Sequence, residues 1–151
     1  MLGTSKEIKN PGLNILPPGV ERHIVNGGAL TAFQIFPDDE IEIINDEGNQ
    51  ICEIICFNKD GKPELGILNL KENSEKNFIR YILNGKDETI LATNYQLKKR
   101  NLNIKESKSS IVFDLDTKAG EKIKLKSKDK CYAIFAAPVS YTHLTLPTTY
   151  T

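Results

Sequence analysis

The sequence predicts a mainly β fold, an antiparallel sandwich or barrel of about seven strands with a two-helix insertion. Short segments in which every second residue is apolar recur along the chain, and Gly, Pro, Asn and Asp separate them, as in antiparallel strands joined by tight turns. Near residue 74 the apolar residues change to helical spacing, and strand spacing returns near residue 110. Strands and helices therefore do not alternate in the way a parallel sheet requires.

The first half of the chain contains four predicted strands. Pro17-Pro18-Gly19 is a turn signal before the first strand, and Asn26-Gly27-Gly28 accepts the positive φ angles of a hairpin turn. The third strand alternates Ile41 and Ile43 with glutamates, which indicates one buried and one solvated face. The fourth is apolar on both faces, which is typical of a central strand. The predicted ranges are 22–25, 29–36, 40–45 and 50–58.

The second half contains two predicted helices and three further strands. Ser74 can cap the first helix, residues 74–84, and Gly85 stands at its C-terminal end. The second helix, residues 87–100, collects three cations in its last turn, where the helix dipole favours positive charge. Alternating apolar residues then predict strands at 110–116, 121–127 and 130–137, joined by short hairpin connections.

Residues 139–151, VSYTHLTLPTTYT, differ from the rest of the chain. Residues 1–138 contain 17 Lys, 18 Ile and 13 Asn, whereas this segment contains none of them and no Arg, Asp or Glu. Its first ten residues correspond, in one reading frame, to a translated transposon-end sequencing adapter. We therefore expect an artefactual tail that makes few contacts, in which His143 has no function. We also expect the natural protein to continue past Pro138.

The remaining residues suit one domain. Residues 1–14 are polar and are expected to be loose, whereas residues 15–138 are numerous enough to bury a single core. The formal net charge is 0, but residues 1–57 carry nine acidic and three basic side chains and residues 58–138 carry 11 and 17. Because no arginines are interleaved with aromatic residues, this asymmetry favours two solvated faces over a nucleic-acid surface.

The cysteines and the hydropathy pattern indicate a cytoplasmic protein. Cys52, Cys56 and Cys131 lie in apolar, strand-like segments, which favours buried thiols in a reducing compartment. No apolar run approaches the roughly 20 residues of a membrane span, and the segment MLGTSKEIKN is too polar for a signal peptide. We expect neither a membrane nor a nucleic-acid partner.

Few residues fit a catalytic or metal-binding pattern. The chain has no phosphate-binding glycine loop, no nucleophile elbow and no cysteine beside a base, so no catalytic residue is predicted. His23 and Glu53 could share an ion, but separated cysteines and one histidine do not form a typical zinc site. We favour a surface or turn histidine and predict no metal site.

Glu53 is the most unusual residue of the predicted sheet. It lies between Ile51 and Ile55 on a core face of the fourth strand, so its carboxylate needs an ionic or hydrogen-bonding partner. Functional clefts and structural ion pairs both contain such residues, and the structural role is favoured. We expect Glu53 to be at least half buried. Possible partners of Glu53 are Arg22, His23 or a lysine of the later strands. The candidate ligand-binding residues are Glu53, Arg22, His23 and Gln50.

The segment DEIEIINDEGNQICEIICFNKDG, from Asp39 to Gly61, resembles the urea carboxylase-associated domain family. The run from Leu16 to Pro138 is similar to the N-terminal accessory domain of aminomethyltransferase-like proteins, relatives of the glycine-cleavage T protein and of folate-dependent demethylases. That similarity includes LPPG, EGNQ, GKPELGIL and the closing AAP. The residues that match the family pattern are Asp46, Glu47, Gly48, Asn49, Gln50, Glu53, Phe57, Asn58 and Asp60.

The resemblance implies a non-catalytic accessory domain of a folate-dependent one-carbon enzyme. Its partner would be a downstream folate-binding domain of the same chain, and tetrahydrofolate would be the cofactor of the parent protein, with no cofactor held by these residues. The alternative is a stand-alone β-barrel of the urea carboxylase-associated type that binds a small molecule or a metal. Metal-binding members use a later Cys/His cluster, and residues 61–138 contain only Cys131 and no histidine.

Overall fold

The computed structural model describes residues 19–73, 78–102, 104–139 and 142–149. Within them, eight antiparallel strands form two four-stranded sheets, and two α-helices follow the fourth strand. The predicted mainly β sandwich with a small helical insertion is therefore confirmed. The strands are β1 (Val20–Val25), β2 (Ala29–Ile35), β3 (Glu40–Asn45), β4 (Cys52–Phe57), β5 (Ser110–Val112), β6 (Glu121–Lys126), β7 (Cys131–Ala137) and β8 (Leu144–Thr149).

The helices are α1 (Phe78–Leu83) and α2 (Glu88–Lys99), with 3-10 turns at Leu65–Leu68 and Ile104–Glu106. Asp87 caps α2 by accepting a hydrogen bond of 2.9 Å from the amide of Ile90, so the predicted second helix is confirmed. The predicted cap Ser74 and the predicted loose segment 1–14 lie outside the described residues. Neither described helix has the length and apolar character needed to cross a lipid bilayer.

The strand order is β1-β8-β3-β6 in the first sheet and β2-β7-β4-β5 in the second. Eight strands arranged in this way form a jelly roll. Consecutive strands lie in opposite sheets, except that β4 pairs with β5 across the helical insertion, so the predicted hairpin connections are wrong. The turn at residues 26–28 instead carries the chain between layers, and the amide of Gly28 donates to the carbonyl of Ala137 at 2.7 Å.

The second sheet is buried on both of its faces. One face packs against the first sheet around Ile54 and Phe135, and the other packs against the helices through Ile55, Phe57 and Ile134. All six residues of β4 are buried, as predicted for a central strand. The alternation of β4 therefore separates two cores, one between the sheets and one beneath the helices.

Residues 142–149 pack into the sandwich, so the expectation of few contacts for residues 139–151 is wrong. β8 pairs with β1 on one side and β3 on the other. Leu144 and Leu146 are 0% exposed, because they alternate with threonines and place their side chains between the sheets. The last strand is thus a central strand of the first sheet.

Six of the seven predicted strands have different bounds in the structure, most of them by one or two residues. The first begins at Val20 and the fifth ends at Val112, although the sequence predicts a start at residue 22 and an end at residue 116. Phe113 has a φ angle of 66°, which no regular strand contains, so the backbone itself ends β5.

Candidate functional site

β4 places Glu53 beneath the helical layer. The side chain is 1% exposed and points away from the other sheet. Its carboxylate accepts hydrogen bonds from the backbone amides of Phe78, at 3.2 Å, and Ile79, at 2.6 Å. The hydroxyl of Ser109 donates to it at 3.1 Å. The predicted burial of Glu53 is therefore confirmed, and its carboxylate joins β4, the start of α1 and the residue before β5.

The predicted partners of Glu53 are wrong. Arg22 is exposed on β1, which belongs to the other sheet, and no described side chain forms an ion pair with Glu53. The donors come instead from the free amides at a helix start, where a carboxylate is favourable. The sequence does contain one signal for these donors, the helix that is predicted to follow the strand of Glu53. The first amides of a helix have no partner within the helix and are therefore available to a carboxylate. Ser109 carries no such signal.

His23 lies on a different face of the sandwich. Its ring stacks on Phe33 with 4.2 Å between centroids, and Phe33 stacks on Phe135 in the core between the sheets. Its Nε2 atom is 3.5 Å from a carboxylate oxygen of Glu21. Glu53 faces the helices on the opposite side of the second sheet, so the structure does not bring His23 and Glu53 to a common ion.

Gln50 has structural partners. The fully buried side chain donates to the carbonyl of Val139 at 2.7 Å and to that of Thr142 at 3.1 Å, and accepts from the amide of Val139 at 2.9 Å. Its own carbonyl accepts from the side chain of Asn45 at 2.6 Å. Gln50 thus fastens the connection between β7 and β8 to the turn between β3 and β4.

A polar cluster that the sequence does not predict surrounds His143. Its Nε2 atom is 3.0 Å from Asp46 and its Nδ1 atom is 2.9 Å from Glu47, while the hydroxyl of Thr145 donates to Asp46. The two ring nitrogens point in different directions, so the two carboxylates cannot share one ion with the ring. Among the described residues, no group of three or more His, Cys, Asp or Glu side chains is arranged so that it could hold a metal ion.

The three cysteines are buried free thiols, as predicted. Burial, together with the negative charge of Glu53, raises the pKa of Cys52. A hydrogen bond with Cys131, together with burial, raises the pKa of Cys56. A protonated thiol is a poor nucleophile, so Cys52 and Cys56 are inert packing residues at neutral pH.

A groove runs between the free edge of β2 and the two helices. It comprises adjoining cavities of about 920 and 590 Å³ that share Leu30, Glu88, Thr89 and Thr93 in their walls. Because Glu53 anchors the first turn of α1, the buried carboxylate also fixes one wall of this groove. Beside it, the outer helical surface exposes three large apolar side chains, of which Tyr81 is 75% exposed. The other two are Leu91 and Tyr95.

The fold and these contacts define a jelly-roll domain with a two-helix cover. No family model and no solved structure matches the chain. The chain is 28% identical, over 131 residues, to trimethylamine-oxide aldolase from Ruegeria pomeroyi. The match covers 87% of this chain and 17% of the relative, so the chain spans only a small part of the length of that protein.

Proposed function

We propose that residues 15–138 are a non-catalytic N-terminal accessory domain of an aminomethyltransferase-like, folate-dependent one-carbon enzyme. The similarity to 17% of trimethylamine-oxide aldolase carries this proposal, because it relates almost the whole chain to one part of a much longer enzyme. The structural role of Glu53 supports it, since this carboxylate is enclosed beneath α1 and accepts three hydrogen bonds from the protein. A catalytic carboxylate must instead reach a substrate.

The partner in this proposal is the downstream folate-binding domain of the same chain. It docks along the groove and over the exposed Tyr81, Leu91 and Tyr95. Tyrosine is enriched in protein interfaces, and β2 is an edge strand with unpaired backbone groups next to the groove. Most of the length of the relative lies outside the match, which supplies a partner large enough to cover this surface.

Tetrahydrofolate belongs to the downstream domain in this proposal, and residues 15–138 contribute the surface that positions it. A cytoplasmic location fits the three free thiols, because cysteines remain reduced in that compartment.

The complete gene tests the proposal directly. Long-read sequencing of the source organism is expected to show an open reading frame that runs past codon 138 into an aminomethyltransferase-like region. A stop codon shortly after codon 138 would contradict the accessory role and leave the stand-alone, ligand-binding alternative.

Hydrogen–deuterium exchange tests the docking surface on the full gene product. We expect α1, α2 and β2 to exchange more slowly in the full chain than in the 151-residue chain, because docking excludes water from their surface. β6, on the other sheet, is the internal control. The variants Tyr81→Ser and Tyr95→Ser should remove the added protection, whereas Lys124→Ser on β6 should leave it unchanged. Equal exchange rates in the two chains would exclude this docking surface.

A further inference from the structure

A third cavity, of about 220 Å³, lies at one end of the second sheet and shares the wall residue Tyr132 with the groove. Its walls come from the end of β2, the turn after β4, the end of α2 and the start of β7. Three of these walls each contribute one cation, Lys59, Arg100 and Lys130, and none of the described residues that line the cavity is acidic. The cavity is therefore electropositive.

Within the part of the chain that the structure describes, the three cations have no carboxylate partner. None of them forms an ion pair with a described residue, whereas Lys108 lies 3.5 Å from Glu72 and Lys122 lies 3.7 Å from Glu42. The three side chains are exposed, and the Nζ atom of Lys130 lies 5.8 Å from the centroid of the Phe36 ring. No acidic side chain in the cavity wall balances their charge, so all three would attract an anion that enters the cavity.

Arg100 is held in a defined orientation. Its guanidinium carbon lies 4.3 Å from the centroid of the Tyr132 ring, a cation–π contact that restricts the side chain. The planar guanidinium has five N–H donors in a fork that matches two oxygens of a carboxylate or phosphate.

The loop that carries Lys59 is fixed against the end of α2. Gly61 has a φ angle of 81°, and a Cβ at this position would collide with the carbonyl oxygen of Asn101, so the two segments are in close contact. The Asn58 side chain accepts hydrogen bonds from the amides of Asp60, at 2.9 Å, and Lys62, at 3.1 Å. The loop and the end of the helix are therefore in fixed contact through Gly61 and Asn101, and Lys59 and Arg100 lie close to these two residues along the chain.

We propose that this cavity binds a small oxyanion, the carboxylate or phosphate group of a metabolite. Arg100 binds two of its oxygens, Lys59 and Lys130 supply flanking positive charge, and the amide of Gln34 donates a further hydrogen bond. A cavity of about 220 Å³ is smaller than a typical pocket for a drug-sized ligand, so it accommodates a head group or a very small metabolite. This site does not depend on the proposed accessory role, although Tyr132 lines both this cavity and the groove.

Titration of the 151-residue chain with inorganic phosphate and, separately, with succinate tests the site. Backbone amide NMR at constant ionic strength, with chloride as the replaced anion, is expected to show saturable shifts at residues 34, 58–61 and 130–132. Saturation by one anion and not the other identifies which oxyanion geometry fits. Absence of saturable shifts with both anions up to about 20 mM would overturn the proposal, because a three-cation site should bind in the millimolar range or better.

Arg100→Gln should weaken binding about tenfold or more, since a charge-assisted bidentate contact is lost. Arg100→Lys keeps the charge without the fork and should fall between that variant and the parent chain. The matched control is Lys99→Gln, which removes the same charge from the adjacent residue outside the cavity and should change affinity by less than about twofold. Equal weakening in Lys99→Gln and Arg100→Gln would show general attraction to a basic surface and refute a defined site. Unchanged melting temperatures confirm that each variant is folded.

Discussion

The two sheets have four strands each, but the outer face of the second sheet is apolar and covered by helices, whereas the outer face of β6 in the first sheet carries exposed lysines. β4 and β7 in the second sheet carry apolar residues on both faces, because α1 and α2 cover the outer one. β6 in the first sheet exposes Lys122, Lys124 and Lys126, and the only residue of this strand that is buried is Leu125. A charged residue on the outer face of a strand therefore has two meanings in one molecule. On β6 it is solvated, whereas Glu53 on β4 is enclosed and depends on donors from a covering helix.

The comparison also shows where each sheet depends on distant residues. The second sheet depends on Glu53 to attach its helical cover, and the first depends on β8 to join β1 to β3. Loss of β8 interrupts a sheet in its middle, whereas loss of Glu53 loosens a layer that lies on a sheet. The expected effects differ accordingly.

Deletion of residues 139–151 should have the largest effect. It removes two fully buried leucines and the strand with which β1 pairs, so we expect loss of the cooperative thermal transition in circular dichroism. Thr149→Ala, at an exposed position of the same strand, is the control and should change the free energy of unfolding by less than about 0.5 kcal/mol. A deletion variant that melts within about 2 °C of the parent would contradict the structural role of β8.

The packing of β8 does not establish where residues 139–151 come from. A gap between two strands accepts any segment that alternates apolar and small polar residues in the correct register, as LTLPTT does. The interpretation of residues 139–151 as translated adapter therefore stays a prediction. In the complete gene we expect a native segment with the same alternation to occupy the position of β8.

Replacement of Glu53 should have an intermediate effect on the free energy of unfolding, measured by urea denaturation. Glu53→Ala leaves two backbone amides and one hydroxyl without their acceptor in a buried site, with an expected cost of about 3 kcal/mol or more. Glu53→Gln retains one oxygen acceptor and should cost about 1–2 kcal/mol. Ser109→Ala removes one donor, so its effect should be smaller and non-additive with that of Glu53→Ala. A cost below about 0.5 kcal/mol for Glu53→Ala would show that α1 does not depend on this carboxylate.

Replacement of Lys124 should have the smallest effect. Its side chain lies on the exposed face of β6, so Lys124→Gln should change the free energy of unfolding by less than about 0.5 kcal/mol in the same denaturation experiment. The result sharpens the comparison between the sheets, because Lys124 and Glu53 occupy outward positions on their strands. A loss above about 1 kcal/mol would indicate that β6 also lies beneath a covering element.

The local secondary structure could be predicted from the sequence. The alternation in β3, the two apolar faces of β4 and the cap at Asp87 depend on residues only a few positions apart, so the strands and the second helix follow from the pattern. The burial of Glu53 follows in the same way, because its neighbours on the same face, Ile55 and Phe57, belong to a core.

The partners of those residues were decided by the tertiary structure. The donors to Glu53 stand 25, 26 and 56 positions away, and the hydrogen-bond partners of the Gln50 side chain stand 89 and 92 positions away. The alternation of neighbouring residues cannot identify partners that are so far apart along the chain. The partners that the sequence suggests for Glu53, Arg22 and His23, lie on the other sheet. The electropositive cavity likewise joins residues 59, 100 and 130, which only chain folding brings together. Sequence alone predicted seven of the eight strands, because strand formation depends on alternation between neighbours, but it did not predict β8. Tertiary packing decided which strands meet, because pairing depends on groups that are distant along the chain.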